Sequence, residues 1–331
     1  MQQVIPIRNP HCVQTQNPRR DIPFERLLLP DAPMIPYRSR QHDPKTVLAW
    51  GQRKLLMSEI EFICQCQLPE GQRCVVIYAG AAPGTHIAFL SDMFPGIRFV
   101  LVDPSDFSVV ADGDRIITRM AMFTDELAAE LKREYADWFI LFVSDVRSTD
   151  YALVSREENQ MRIKADMDAQ ARWHEIIAPF KSMLKFCLPY TAGTTRYLRG
   201  DVHLPVWGPI TTTECRLIVD MSADECVYDN TEHEQRMFAF NTVTRPALYP
   251  HGVHGRGIDH CYDCRAEVEI LRLYLGVHAT NLGIARLSTC ISRAIGGTRT
   301  LADGNIDPAE RRRVIRERQW VNGRPAYEPA E

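Results

Sequence analysis

The sequence predicts an α/β fold: a mostly parallel central sheet with helices on both faces. Three observations carry that prediction. The stretch 74–103 (CVVIYAGAAPGTHIAFLSDMFPGIRFVLVD) reads as strand, glycine turn, helix, strand. Residues 138–143 (WFILFV) form a near-continuous apolar run, the pattern of a parallel strand buried on both faces. Each of these units finishes on a carboxylate, Asp103 and then Asp145, which would set two acids on one sheet edge, where open α/β sheets hold their ligands.

Taken in order, residues 1–42 are rich in Pro, Arg and Gln and are expected to form an irregular arm over the domain. Tyr37 in that arm offers an aromatic face, for which composition favours plain packing. Asp43-Pro44 is a cap followed by a first-turn proline, so a helix is expected to begin there. Its apolar positions Leu48, Leu56, Ile60, Ile63 and Leu68 recur at helical spacing, with Lys54, Ser58, Glu61 and Gln65 on the polar face. Cys74–Tyr78 is a β-branched strand. Gly80 and Gly84 bracket the following turn and would let backbone amides come close to a ligand. Thr85–Phe94 reads as a helix on the sheet and Arg98–Val102 as the second strand. Arg115–Thr118 follows as a third strand and Thr124–Tyr135 as an amphipathic helix.

After Asp145 the stretch 149–164 is polar, and a helix is expected over Asp166–Ile177 before Pro179. Ser182–Cys187 is a strand that carries Lys185. A lysine there is unusual because an isolated buried ammonium is expensive; a lysine snorkelling from the strand's end is the plainer reading. Arg196, Tyr197 and Arg199 fall in an expected loop. Thr211–Val219 is a strand with Glu214 near its start, and an antiparallel course would bring that start beside the ligand edge. Asp224–Asn241 reads as helical. His251, His254, His260, Cys261 and Cys264 cluster, but only one C-x-x-C is present, so no metal site is expected. Ala266–Tyr274 and Ala279–Ile295 are read as closing helices. A tail with Arg311, Arg312, Arg313, Arg316 and Arg318 is either a solvated helix or an RNA-facing arm. The expected units are an arm (1–42), a domain (43–297) and a basic tail (298–331).

Composition narrows the function classes. Hydrophobic residues are 45% and charged residues 24% of the 331, ordinary for a soluble globular chain. No apolar run approaches bilayer length and the start lacks an apolar signal region, so a cytoplasmic protein with no membrane contact is expected. The net charge of −3 argues against general polyanion binding and leaves nucleic-acid contact to local basic patches. Ten scattered cysteines, several inside apolar strands, read as reduced thiols.

The turn itself narrows the ligand. G-x-G-x-x-G is absent and Pro83 lies inside the turn, so a nucleotide-binding dehydrogenase is disfavoured and a ligand without a pyrophosphate is favoured. S-adenosylmethionine fits that layout. A structural crossover with a coincidental terminal acid stays open on the turn alone.

Lys54, Asp145, Lys185 and Glu214, in this order around AGAAPGTH, resemble the Lys-Asp-Lys-Glu tetrad of RNA ribose 2′-O-methyltransferases. The segments GQRKLL (51–56), YAGAAPGTHI (78–87), SDVRS (144–148), LKFCLPY (184–190), TECRL (213–217) and EQRMF (234–238) bring the sequence closest to one branch. It resembles the poxvirus-type cap-specific mRNA (nucleoside-2′-O-)methyltransferase family, whose members are also the small, regulatory subunit of a poly(A) polymerase. The likeness covers roughly residues 35–295. It implies a Rossmann-like, S-adenosylmethionine-dependent methyltransferase fold acting on m7G-capped mRNA, with a poly(A) polymerase catalytic subunit as a candidate partner. It also implies that Lys185 is the base, Lys54 a second ammonium, and Asp145 and Glu214 their orienting acids. The cofactor would be held by Gln52, Tyr78, Gly80, Ala82, Pro83, Gly84, Thr85, His86, Asp103 and Arg147. Tyr37 and Tyr190 would sandwich the methylated guanine of the cap, with Glu234 on its edge. Two positions depart from the family pattern: Ser105 stands where an Arg is usual, and Ala192 where a carboxylate is. Two alternatives stay in view: a bifunctional or non-catalytic processivity subunit, and a 2′-O-methyltransferase of uncapped RNA.

Overall fold

The computed structural model describes residues 21–38, 51–148, 155–208, 212–255, 258 and 260–295, with short segments at 320–321 and 324–325. Its frame is a seven-stranded sheet in the order β3-β2-β1-β4-β5-β8-β7. The five parallel strands are β1 (Cys74–Ala79), β2 (Ile97–Asp103), β3 (Ile116–Met120), β4 (Phe139–Ser144) and β5 (Lys181–Phe186). β1 is buried at every position, and β2 and β4 nearly so, which is why their sequences are continuous apolar runs without alternation.

Strand order reverses between β1 and β4, and the crevice at their carboxyl ends is where a doubly wound sheet accepts a ligand. β8 (Cys215–Asp220) then runs antiparallel to β5, pairing Lys185 with Arg216 and Phe186 with Cys215. The reversed direction brings the start of β8, with Glu214 just before it, to the edge where β4 and β5 end. β7 (Asp201–His203) closes the sheet, and β6 (Thr194–Leu198) pairs with β9 (Glu225–Asp229) in a separate ribbon.

The helices are α1 (Gly51–Gln65), α2 (Ile87–Met93), α3 (Asp125–Glu134), α4 (Arg156–Ile177), α5 (Asn230–Ala239), α6 (Tyr262–Leu275) and α7 (Asn281–Ala294). α1 buries Leu56, Met57, Ile60 and Ile63 and is fixed to α6 by a buried fork in which Arg53 donates to both oxygens of Glu267, at 2.9 and 2.6 Å. Trp207 Nε1 donates to the same carboxylate at 2.8 Å and Arg53 also reaches Ser292 on α7, so one acid ties four segments together.

Several expectations are corrected. The helix expected from Asp166 begins ten residues earlier, at Arg156, where Ser155 accepts from the Glu158 amide at 3.1 Å as its N-cap. Residues 225–229, read as helix, and 194–198, read as loop, are the paired strands β9 and β6; exposed and half-buried positions alternate along β9, the signature of an edge ribbon. The supposed polar face of α1 is not solvated throughout, since Glu61 is buried. It accepts both Arg26 Nε (2.9 Å) and Nη2 (2.7 Å) from the arm. Residues 21–38 do pack over the domain as an irregular arm, with a single bridge at Leu27–His203 and an amide bond from Leu28 to Val202. The helix start at Asp43-Pro44 and the arginine-rich tail lie outside the described residues.

Candidate active site

Four groups far apart in the sequence meet at the carboxyl edge of the sheet. Lys54 Nζ, from the first turn of α1, donates to Glu214 Oε1 at 2.6 Å. Lys185 Nζ, near the end of β5, lies 3.0 Å from Asp145 Oδ1 and 3.6 Å from Glu214 Oε2. Their side chains are 10–19% exposed, so the cluster opens to solvent on one side without being solvated. Gln170 of α4 fixes the backbone beneath: its Oε1 accepts from the Lys185 amide (3.1 Å) and its Nε2 donates to the Lys185 carbonyl (3.2 Å).

Sequence reasoning missed a third cation. Arg216, 5% exposed, donates to Asp145 Oδ1 at 2.8 Å and lies 3.4 Å from Glu214 Oε1. The signal was present: Glu214 and Arg216 are two apart at the start of a strand, a spacing that aims both side chains at one face. Arg147, assigned to the cofactor by resemblance, is within 2.6 Å of Glu214 Oε2.

The charges are mutually dependent. Burial would raise Asp145, but Lys185, Arg216 and Lys54 outweigh it and hold the carboxyl down at about 2. Glu214 is likewise held well below the usual carboxylate range, burial being overcome by Lys185, Lys54, Arg216 and Arg147. Lys54 is shifted the other way. Burial lowers its ammonium below the ordinary lysine value and Arg216 adds to the lowering, against the pull of Glu214.

The glycine turn adjoins this cluster. Gly80 has φ +77°, and a Cβ there would sit 2.8 Å from the Val146 amide nitrogen and 2.9 Å from the Asp145 carbonyl carbon. Its lack of a side chain therefore serves the approach of the chain leaving β4. The turn's first amides are also spent internally, Gly80 and Ala81 both donating to the Val102 carbonyl. Ala82 N donates to Asp103 Oδ2 at 3.2 Å and Ser105 N to Oδ1 at 2.8 Å. Thus the backbone of Ser105, where the family has Arg, supports the acid. A carboxylate has about four lone-pair positions, so Asp103 keeps acceptors for the hydroxyls of a ribose. The Pro83 carbonyl accepts from Ser108 and Val109, folding the next loop under the turn; Gly84, at φ +66°, packs on Val109.

Gln52, Thr85 and His86 form one unit. Gln52 Oε1 accepts from Thr85 Oγ1 at 2.7 Å and meets His86 Nδ1 at 2.8 Å, while His86 Nε2 lies 3.0 Å from Glu59 Oε1. His86 is 1% exposed with both ring nitrogens engaged within the protein, so it supports the turn from beneath. Tyr78 is equally buried and bonded to Glu59; burial and that carboxylate push its hydroxyl well above the usual phenol range.

At the other side of the cluster, Tyr190 accepts from Thr213 Oγ1 at 2.8 Å, and its amide donates to Gln160 Oε1 at 2.6 Å. His233 of α5 meets the Thr213 carbonyl at 2.9 Å, so Tyr190 and α5 are linked through one residue. Tyr37, 43% exposed, stands edge-on to Phe238 of α5, with centroids 5.4 Å apart. Glu234 lies one turn before Phe238 on the same helical face. Among the described residues no group of three or more His, Cys, Asp or Glu side chains is placed to hold a metal ion. Cys261 instead caps α6, accepting from the Cys264 amide.

Comparison with known proteins bears on this arrangement. The family model described as "Poly A polymerase regulatory subunit" matches residues 34–274, well over half the chain. The chain belongs to the poly(A) polymerase regulatory subunit family. The match runs from the arm through α6 and so includes every residue of the cluster above. Among curated relatives, the cap-specific mRNA (nucleoside-2′-O-)-methyltransferase of Myxoma virus (strain Lausanne) is 26% identical over 219 residues, 61% of this chain and 63% of the relative. The fowlpox virus (strain NVSL) protein of the same name is 27% identical over 219 residues, covering 60% and 68%. The chain therefore spans 63% of the length of the myxoma relative. A solved structure of bluetongue virus VP4, described as a multifunctional RNA-capping production line, aligns with 71% of this chain and 36% of its own at a TM-score of 0.45 and 11% identity. That likeness is too loose to carry an argument.

Proposed function

We propose that this family member is an S-adenosylmethionine-dependent methyltransferase of the ribose 2′-hydroxyl of the first transcribed nucleotide of m7G-capped RNA. The observation that carries the reading is the placement of Lys185 between Asp145 and Glu214, with Lys54 on the second oxygen of Glu214, directly beside the turn that precedes Asp103. A cofactor of this kind supplies, when bound, an electrophilic methyl on a sulfonium. Asp103 is suited to its ribose by the acceptor positions left over from Ala82 and Ser105. Gln52, its carbonyl tied to Thr85 and His86, presents its amide hydrogens as donors suited to an amino-acid carboxylate.

The protein's own residues supply the rest. A ribose hydroxyl is a weak nucleophile until its proton is removed or polarised, and Lys185 Nζ is the group placed to do this. Asp145 and Glu214 hold that nitrogen by its partners, and Arg216 prevents either carboxylate from standing as an uncompensated buried charge. Methyl transfer is an in-line displacement, so fixing the hydroxyl opposite the leaving sulfur provides much of the rate. For the cap, Tyr190 and Tyr37 offer aromatic faces and Glu234 an acceptor; a cationic purine gains from both.

The test is transfer of labelled methyl from S-adenosylmethionine to capped and uncapped RNA of one sequence. Label on capped RNA alone, at a 2′-oxygen, is expected. Equal labelling of both ends the cap-specific reading, and no labelling ends the methyltransferase reading. The family description favours a second role, as the regulatory partner of a poly(A) polymerase. Its test is co-purification with a polymerase catalytic subunit and longer tails per binding event when this chain is added.

A further inference from the structure

Helix α7 carries two arginines and no acidic residue. It buries Ile284, Ala285, Ser288, Ile291 and Ser292 against the domain. Arg286 and Arg293, seven residues apart, fall within about 20° of each other on the opposite face. Both are exposed, and among the described residues neither makes an ion pair. α6 adds to the asymmetry. Its Asp263 and Glu267 are buried and matched by Arg245 and Arg53. Nearer the surface, its Arg265 and Arg272 share Glu269 at 3.0 and 2.6 Å. Four arginines therefore stand over one carboxylate, in a protein whose net charge is −3. A solvated helix face ordinarily mixes its signs, whereas a stripe of one sign is the footprint of a polyanion.

The position of the stripe says which polyanion. Arg53, in the first turn of α1, donates to Ser292 Oγ at 2.9 Å and to the Ser288 carbonyl at 3.2 Å. The next residue, Lys54, belongs to the catalytic cluster. The outward face of α7 is therefore about one helix thickness, roughly 10 Å, beyond the contact with that turn. A strand of RNA leaving the hollow would cross the end of α7 to meet Arg293, and Arg286 lies about 10 Å further along the same line by the helical rise. α7 has no aromatic residue on which a base could stack, so the contact is with phosphates, whatever the sequence. The family match ends at residue 274, so α7 lies beyond the region shared with the family.

We propose that the outward face of α7 is a track for the phosphodiester backbone of single-stranded RNA downstream of the methylated nucleotide, with Arg293 and Arg286 as its phosphate contacts. The inference rests on the reading that RNA occupies the hollow. It predicts an affinity that grows with RNA length beyond the hollow, is indifferent to base sequence and is sensitive to salt.

The experiment uses the full chain and three probes: the capped dinucleotide m7GpppA, and an RNA of about 20 nucleotides, enough to fill an extended single-strand site, with and without the cap. Kd is measured by fluorescence anisotropy over a range of KCl concentrations. The proteins are the wild type, the pair Arg286→Gln/Arg293→Gln, the charge-keeping pair Arg286→Lys/Arg293→Lys, and Arg133→Gln, which removes an exposed charge on α3. The glutamine pair is expected to weaken both long RNAs about twentyfold at 0.1 M salt and to flatten the logarithmic salt slope by about 1.4, or about 0.7 for each phosphate released. Its Kd for m7GpppA is expected to stay within about twofold of wild type, and the lysine pair to keep most of the affinity for long RNA. Arg133→Gln is expected to leave the slope unchanged. Long RNA bound equally by the wild type and the glutamine pair overturns the proposal, and the arginines are then solvated and nothing more. A slope lowered as much by Arg133→Gln as by the pair also overturns it, because the field of the whole protein would be responsible. So does a glutamine pair that holds RNA normally but no longer co-purifies with the polymerase catalytic subunit, which would make the face a dock for an acidic protein. Wild type that shows the α7-dependent slope on long RNA yet transfers no methyl to it ends the methyltransferase reading and leaves the track standing.

Discussion

At the scale of single residues, the cluster is defined by how few carboxylates serve how many cations. Glu214 touches Lys54, Lys185, Arg216 and Arg147, and Asp145 touches Lys185 and Arg216. Lys185→Ala removes the group that meets the hydroxyl and is expected to cost at least about a hundredfold in kcat, with the Kd for S-adenosylmethionine within about twofold of wild type by calorimetry. Arg216→Met acts differently: it takes one of two cations from Asp145 and one of four from Glu214, so a loss of about 1–3 kcal/mol in unfolding free energy is expected in denaturant titration. Lys54, Asp145, Lys185 and Glu214 were individually weak signals, Lys54 reading as a solvated lysine on a polar helix face, and became legible only together, through the resemblance of their order around the glycine turn. Arg216 was not, because an arginine flanked by apolar residues reads as an edge position until its partner two residues earlier is taken into account.

At the scale of elements, the decisive feature is the reversal of β8. Five parallel strands bring their ends to the ligand edge; only an antiparallel strand brings a start there, and with it Glu214. The apolar run marked the strand in the sequence, where its antiparallel course was only a condition of the reading; the pairing with β5 supplies the direction. The ribbon of β6 and β9 was not marked, because a short edge strand buries one face at most and its residues carry helix-compatible charge. The early start of α4 had a readable sign, the S-x-x-E at Ser155 and Glu158, obscured by the polar character of the helix's first turns. The turn after β1 gives an element-scale prediction. Gly80→Ala combines a left-handed backbone with a Cβ at 2.8 Å from the Val146 nitrogen. It is expected to lower stability by about 1–3 kcal/mol, read as a fall in Tm, and to weaken cofactor binding because the chain bearing Asp145 must move.

At the scale of the whole molecule, the arm and the domain are joined by charge, and acid should weaken the fold in two steps, the second of them at that junction. Burial holds His233 neutral, its value depressed to about 4 from 6.5. A group lowered in the folded state adds stability that is complete above the unfolded value and is lost as pH falls through the folded one, so this contribution fades between about pH 6.5 and 4. Glu61 comes next. Burial alone would raise it, but Arg26 and His203 bring it down from 4.5 to about 2, so its contribution of about 3 kcal/mol is lost between about pH 4.5 and 2. Unfolding free energy measured against pH should show both slopes, and Arg26→Met should flatten the lower one. Phe24 packs against Tyr249 and Tyr262 beside this ion pair, so the same variant is expected to expose the arm to proteolysis.

The sharing of Asp145 and Glu214 by Lys54, Lys185 and Arg216 has an electrical outcome for the chain as a whole. With Arg147 also on Glu214, four cations on two anions leave the hollow locally positive in a protein whose net charge is −3. A phosphodiester entering it acts as the missing counterion. Raising ionic strength should therefore loosen RNA linearly on logarithmic axes, while capture of a nucleoside that carries no phosphate barely responds.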